Sequence, residues 1–383
     1  MASEADDRED WPADPHTDLR WMRAALVLAR RGLGNVWPNP AVGCVIVAGG
    51  RVVGRGWTQP GGRPHAETEA LCRAGFKARS ATAYVSLEPC SHWGRTPPCA
   101  DALIEAGLAR VVIGLEDPDP RVVGAGVSRL RAAGIAVETE VGAAEAAEVN
   151  AGFLTRERLG RPLVTLKLAT SLDGKIATGT GESRWITGPL ARASTHKLRA
   201  EHDAIMVGTG TVLADDPQLT CRLPGLGHHS PVRIVLDRNL RIPPGAHVIA
   251  EAQETPTWVL TLRSVNNASR EAFLDRGAIL IEIDSDAAGR IDLVAALQAL
   301  GARGLTRVLV EGGARLAAAL LEARLVDRLV WMHAPLVIGA DGIPAIAAFG
   351  LRALADAPRF EQIASETLGE DIVSTFRASD PGL

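Results

Sequence analysis

The feature that most constrains this chain is a set of metal-binding residue types and one acid at fixed offsets. His65-Ala66-Glu67 opens an apolar helical run. After one strand comes Pro89-Cys90, and Cys99 follows eight intervening residues later, behind Pro97-Pro98. Imidazole nitrogen and thiolate sulfur are donors that zinc takes, and a catalytic site uses three of them and leaves the fourth position to water. His65 and Cys99 both fall at helix starts, where the partial positive charge of the helix end favours a thiolate. Glu67 adds a carboxyl able to take a proton from water and pass it to a leaving amine. Residues two apart do not share a face of a regular helix, so the motif requires His65 to sit at the helix cap.

The pattern around these residues is α/β. A helix is expected over Leu19–Arg31, with others at Ala66–Gly75, Pro98–Gly107 and Val127–Ala133. Between them lie strands at Ala41–Val47, Arg51–Trp57, Ala81–Leu87, Arg110–Leu115 and Ile135–Thr139. Helices alternating with strands imply a mostly parallel or mixed sheet under a helical cover. A polar helix near Ala143–Arg158 and the segment Leu159-Gly160-Arg161-Pro162 mark a join. Beyond it the alternation resumes from Leu163 and ends in a hairpin around Leu368-Gly369. The 383 residues therefore divide into an acidic tail (1–15), a domain carrying the zinc motif (16–150) and a second α/β domain (151–383).

A net charge of −4 gives no bulk attraction to phosphate backbones, which disfavours nucleic acid as a partner. The start is acidic and lacks the basic-then-apolar order of a secretory signal, and no apolar run is long enough to span a membrane. A cytoplasmic protein is expected, so its cysteines should be core residues, metal ligands or reactive thiols rather than disulfides. Cys44 and Cys72 read as buried and inert, Cys221 is given no chemistry, and His228-His229 lack partner ligands.

Zinc deaminases pair an H-x-E with a P-C-x-x-C. Here the second half is lengthened, and the insertion carries His92, Arg95 and Thr96, donors suited to a phosphate-bearing substrate. With Asn39 in Pro38-Asn39-Pro40 and the run PCSHWGRTPPC, the chain resembles the bifunctional riboflavin-biosynthesis deaminase–reductase family. The second half resembles that family's reductase through TLKLATSLDGK (165–175), GESRWIT (181–187), GTVLADDP (210–217), LTCR (219–222) and VEGG (310–313). The resemblance implies a cytidine-deaminase-like three-layer domain followed by a dihydrofolate-reductase-like α/β domain. It implies deamination of 2,5-diamino-6-(5-phosphoribosylamino)pyrimidin-4-one, then NADPH-dependent reduction of the ribosyl group to ribityl. By it His65, Cys90 and Cys99 bind Zn2+, Glu67 shuttles protons, and Asn39, His92 and Arg95 hold the pyrimidine.

For the reductase the resemblance places Lys167, Ser183, Arg199, Leu219, Arg222 and Glu311 at the substrate. It places Ala169, Trp185, Thr211, Asp215, Gly312 and Gly313 at NADPH, and it implies a homo-oligomer built through this domain. Physically, no G-x-G-x-x-G follows a strand, and Gly208-Thr209-Gly210-Thr211 is a weak signal on its own. Val310-Glu311-Gly312-Gly313 is the better phosphate loop, a strand end followed by two glycines and a helix start near Ala314. Two rival readings share the zinc motif: a nucleic-acid-editing deaminase, which would need a basic strand-binding surface, and a non-catalytic scaffold stabilised by zinc.

Overall fold

The first helix begins at Pro15, four residues before the expected start, because proline suits the first helical position and Asp18 is held inward. Asp18 accepts from Tyr84 Oη at 2.9 Å and from both terminal nitrogens of Arg110 at 2.7 Å. The computed structural model describes residues 15–94, 97–117 and 123–379. The expected acidic tail therefore lies almost wholly outside the described residues. The chain forms two compact units, one of residues 40–150 with the segment up to Gly32, the other of 151–383 with Leu33–Asn39. The expected 16–150 domain is thus interrupted: Trp37 packs edge-on against Trp258, and Asn35 pairs with His229, both partners in the second unit.

The first unit contains α1 (Pro15–Ala29), β1 (Gly43–Ala48), β2 (Arg51–Trp57), α2 (Ala66–Ala74), β3 (Thr82–Val85), α3 (Cys99–Glu105), β4 (Arg110–Ile113), α4 (Ala125–Ala132), β5 (Ala136–Glu138) and α5 (Ala143–Val149). Its sheet runs β2-β1-β3-β4-β5, antiparallel on both sides of β1 and parallel beyond β3. Register puts Gly54 and Gly56 on the same face as Ile46 and Cys44. On that face a Cβ at Gly56 would lie 2.3 Å from the Ala66 carbonyl, so only glycine lets the start of α2 settle on the strands. α2 buries Ala66, Glu67, Ala70 and Ala74, and Cys72, expected to be buried, falls on the opposite face and is exposed. The polar helix expected over 143–158 is two helices, broken at Asn150, whose Oδ1 accepts from Ala41 N at 3.0 Å.

The second unit comprises α6 (Ala151–Leu159), β6 (Leu163–Thr170), β7 (Lys175–Ala177), α7 (Pro189–Ala200), β8 (Ala204–Gly208), α8 (Thr209–Asp215), β9 (Val232–Leu236), α9 (His247–Ala250), β10 (Thr257–Leu262), α10 (Asn267–Leu274), β11 (Ile279–Ile283), α11 (Leu293–Ala302), β12 (Arg307–Glu311), α12 (Ala314–Glu322), β13 (Arg328–His333), β14 (Ile343–Pro344), β15 (Phe360–Leu368) and β16 (Asp371–Ala378). Nine strands form one sheet, β11-β10-β9-β8-β12-β6-β13-β16-β15, parallel from β11 to β13 and closed by the expected antiparallel hairpin. One face packs Val164, Leu166, Met206, Ile234 and Val310 with Leu297, Leu300 and Leu320 of α11 and α12. The other face packs Ile205, Val207, Val235 and Val259 with Val212 of α8, Ile249 of α9 and Phe273 of α10. In a sheet of this kind ligands sit at the carboxyl ends of the strands. β7 and β14 pair separately as a short ribbon that the sequence reading did not anticipate. Among the described residues no helix is long and apolar enough to cross a membrane.

Candidate metal centre and reductase cleft

His65 is the N-cap of α2, with extended backbone at φ −72° and ψ 160°, and its carbonyl accepts from Glu69 N at 3.1 Å. This resolves the spacing problem: outside the helical geometry, His65 and Glu67 face the same place. Cys90 follows β3 through Ser86–Pro89, and Cys99 is the first residue of α3. Nδ1 of His65 lies 3.2 Å from Cys99 Sγ and 3.7 Å from Cys90 Sγ, and the three donor atoms all fall within 4.8 Å of one another. Zinc–ligand bonds of about 2.0 and 2.3 Å at tetrahedral angles would separate sulfur from nitrogen by roughly 3.5 Å. The donor set therefore fits one zinc ion and leaves one position for a further ligand.

Glu67 is 3% exposed. Burial, aided by the nearby Cys90 sulfur, pushes its carboxyl up to about 7. Cys90 is held down at about 4, first by the hydrogen bond from Cys99 and then by His65, while the same bond pushes the Cys99 thiol up. The backbone N–H of Cys99 also points at Cys90 Sγ, at 3.3 Å. The hydrogen bond to Cys90 raises the His65 imidazole. His92 is exposed in the loop between the cysteines, beside Trp93, which is 72% exposed. Arg95, expected to contact the pyrimidine, lies outside the described residues, as does Thr96. Asn39 packs with the second unit, where its N–H donates to Val36 O at 3.0 Å.

The second unit carries a cleft of ≈ 810 Å³ at the carboxyl ends of β6, β8, β9 and β12. Lys167, Ser183, Arg199, Leu219 and Glu311 line it, together with Ala169, Thr211, Asp215, Gly312 and Gly313. Two expected residues do not: Trp185 is 67% exposed with Arg192 over its ring at 4.6 Å, and Arg222 is exposed, its N–H donating to His196 Nδ1. Gly312 and Gly313 have φ +80° and +86°, and a Cβ on either would crowd Thr211 Oγ1 at 3.4 or 3.3 Å. They lead straight into α12, whose first N–H groups are open to a ligand.

Arg199, expected at the substrate, gives its fork to Glu311. Nε and Nη2 donate to the two carboxylate oxygens at 2.7 and 2.9 Å, and Nη1 donates to Thr220 O at 3.0 Å. Burial works against the Glu311 charge, yet Arg199 and Lys167 outweigh it and hold the carboxyl below its usual range. Lys167, next to Glu311 in the β6–β12 register, is pushed down by burial. The sequence reading missed Arg241, which lines both this cleft and an adjoining cavity of ≈ 430 Å³. That cavity also holds Arg238 and Arg290. Arg290 is paired with Asp286 at 2.8 Å, leaving Arg238 and Arg241 as its available cations.

A deaminase-type zinc centre on a mixed five-stranded sheet, followed by a parallel-sheet domain with a phosphate cradle, defines a two-domain deaminase–reductase. Residues 15–115 match the cytidine and deoxycytidylate deaminase zinc-binding region, and residues 162–374 match the RibD C-terminal domain. The chain belongs to the RibD family. It is 44% identical to the riboflavin biosynthesis protein RibD of Escherichia coli K12 over 366 residues, 93% of this chain and 98% of that one. It is 41% identical to the Aquifex aeolicus RibD over 94% of this chain and 98% of that one. Among solved structures, Acinetobacter baumannii RibD superposes with a TM-score of 0.86 at 38% identity, covering 96% of this chain and all of that one (100%). A Thermotoga maritima diaminohydroxyphosphoribosylaminopyrimidine deaminase/5-amino-6-(5-phosphoribosylamino)uracil reductase superposes at 0.83 with 35% identity, covering 95% and 99%.

Proposed function

We infer that this chain performs both reactions named for its Thermotoga maritima relative, deaminating a phosphoribosylated diaminopyrimidinone and then reducing its ribosyl group with NADPH. The observation that carries the reading is the convergence of His65 Nδ1, Cys90 Sγ and Cys99 Sγ beside a buried Glu67. His65, Cys90 and Cys99 would hold zinc, which when bound lowers the pKa of water and supplies a nucleophile at neutral pH. Glu67 accepts the proton that water gives up and delivers it to the departing nitrogen as the C–N bond breaks, so ammonia leaves neutral. Burial suits the carboxyl to both steps, since it disfavours a permanent charge. We assign the holding of the pyrimidine to Asn39, His92 and Arg95.

In the second unit Gly312, Gly313 and the start of α12 would receive the dinucleotide phosphates, with Thr211, Asp215 and Ala169 lining the same cleft, and we assign Trp185, two residues from the cleft residue Ser183, to the cofactor as well. NADPH when bound supplies the hydride. Arg238 and Arg241 fit the additional phosphate that separates NADPH from NADH. Glu311, fixed by Arg199, presents its carboxylate to the ribosyl end beside Lys167, and Arg222, Ser183 and Leu219 complete the substrate side. We propose a cytoplasmic enzyme acting on a small phosphorylated substrate rather than on nucleic acid, assembled as a homo-oligomer through its reductase domain. The test is NADPH oxidation by the full-length protein. It should require the deaminated intermediate and persist after zinc is chelated. Loss of hydride transfer on chelation with the fold intact would contradict two independent centres.

A further inference from the structure

Glu88 lies two residues before Cys90 and is 4% exposed, yet no cation pairs with it among the described residues. Its charge is met by backbone instead. Oε2 accepts from Asp117 N and Gly124 N, each at 3.1 Å, and Oε1 from Gly126 N at 2.9 Å and Val127 N at 3.1 Å. Two of these donors belong to the first turn of α4, whose N–H groups have no partner within the helix. A carboxylate that fills its lone pairs with four such donors ties the segment before Cys90 rigidly to that helix end.

The same helix reaches the other cysteine. A Cβ on Gly126 would lie 2.2 Å from Pro89 O, so α4 rests directly on the peptide before Cys90. One turn on, Arg129 Nη1 donates to Ser91 O at 3.3 Å, and its Nη2 donates to Asp101 Oδ2 at 2.9 Å. Asp101 is the third residue of α3, the helix that Cys99 opens. A direct strut joins the two segments as well, since Ala100 N donates to Cys90 O at 3.1 Å. Sulfur positions depend on the backbone that carries them, and both cysteine backbones are referred to α4.

We propose that Glu88 and α4 form a brace that sets the separation of the two sulfurs, making Glu88 a positioning residue of the metal centre. The proposal rests on the zinc reading above. Glu88→Gln keeps the volume but turns an NH2 group toward two N–H donors, so two of the four bonds must break. Groups that orient metal ligands typically change metal affinity by about 10–100-fold when altered. Zinc release from the full-length protein to an excess of a chromogenic chelator should therefore accelerate by about that factor, and the thiolate-to-metal absorption of the cobalt(II)-loaded protein should shift. Arg129→Met, on the exposed side of the brace, should shift both in the same direction by less. The control is Val112→Ala, a core substitution in β4, matched for loss of melting temperature. Equal release from Glu88→Gln and Val112→Ala, or wild-type release from Glu88→Gln with zinc bound, would overturn the brace. A wild-type protein that takes up no zinc would overturn the zinc reading and the brace with it.

Discussion

Replacing Glu67 with glutamine removes a proton carrier while leaving nearly every atom in place. The side chain is 3% exposed on the inner face of α2, so an isosteric amide changes neither packing nor the His65 cap. None of the three zinc donors is replaced, so zinc content should stay at the wild-type level. What disappears is transfer of a proton from water to the leaving nitrogen. General acid–base transfer of this kind contributes about 10²–10⁴ in rate, or roughly 3–5.5 kcal/mol of barrier. Two transfers pass through the same carboxyl, which puts the expected fall in kcat toward the upper end of that range. Ammonia release at saturating substrate would be followed alongside zinc content and alongside NADPH oxidation on intermediate supplied already deaminated. Deamination should fall at least a hundredfold while hydride transfer is unchanged. A variant that retains zinc and deaminates within tenfold of wild type would refute the reasoning, because no other buried carboxyl has been assigned that step.

Removing both Arg238 and Arg241 as alanines should reduce the preference for NADPH over NADH by roughly tenfold to a hundredfold, the worth of one charge-assisted hydrogen bond, with little change for NADH; equal weakening of both cofactors would remove the assignment. His202 is buried between Leu198 O and Thr165 Oγ1, and burial pushes its imidazole down to about 4. The unfolded chain takes up that proton below its ordinary pKa of 6.5, but the folded chain resists until about 4, so stability is complete near pH 7 and declines as pH falls through this window. Denaturation of the second unit should show about 2 kcal/mol of loss from this group by pH 5, absent in His202→Gln; parallel pH profiles for the two proteins would contradict it.

Much of this was legible in the sequence because the chemistry is local. His65, Glu67, Cys90 and Cys99 announce themselves by residue type, and glycines and prolines mark the helix starts that hold them. The strands of the first unit read correctly from short apolar runs, and β2 begins and ends where the pattern places it. The failures have tertiary causes. Asn39 groups with the second unit together with Trp37, whose edge-on partner, Trp258, sits more than two hundred residues away. No spacing rule could reveal that Glu311 occupies the fork of Arg199, a residue expected at the substrate. Arg241 lies in a loop after β9 and carries no motif, so its place between two cavities emerges only once β8, β9 and β12 are side by side. Cys72 shows the reverse error: an apolar residue type on a helix whose buried stripe, Ala66, Glu67, Ala70 and Ala74, leaves it on the opposite face.

Mass spectrometry of the product formed from the phosphoribosylated diaminopyrimidinone, with and without NADPH, tests the coupled chemistry most directly. Without NADPH the mass should rise by about one unit, as an amino group is exchanged for oxygen, and with NADPH by about two units more, as the ribosyl group gains two hydrogens. Both changes should appear in the wild type and only the second, on pre-deaminated material, in Glu67→Gln. Unchanged starting mass in the zinc-loaded wild type, or reduction in the absence of NADPH, would contradict the account.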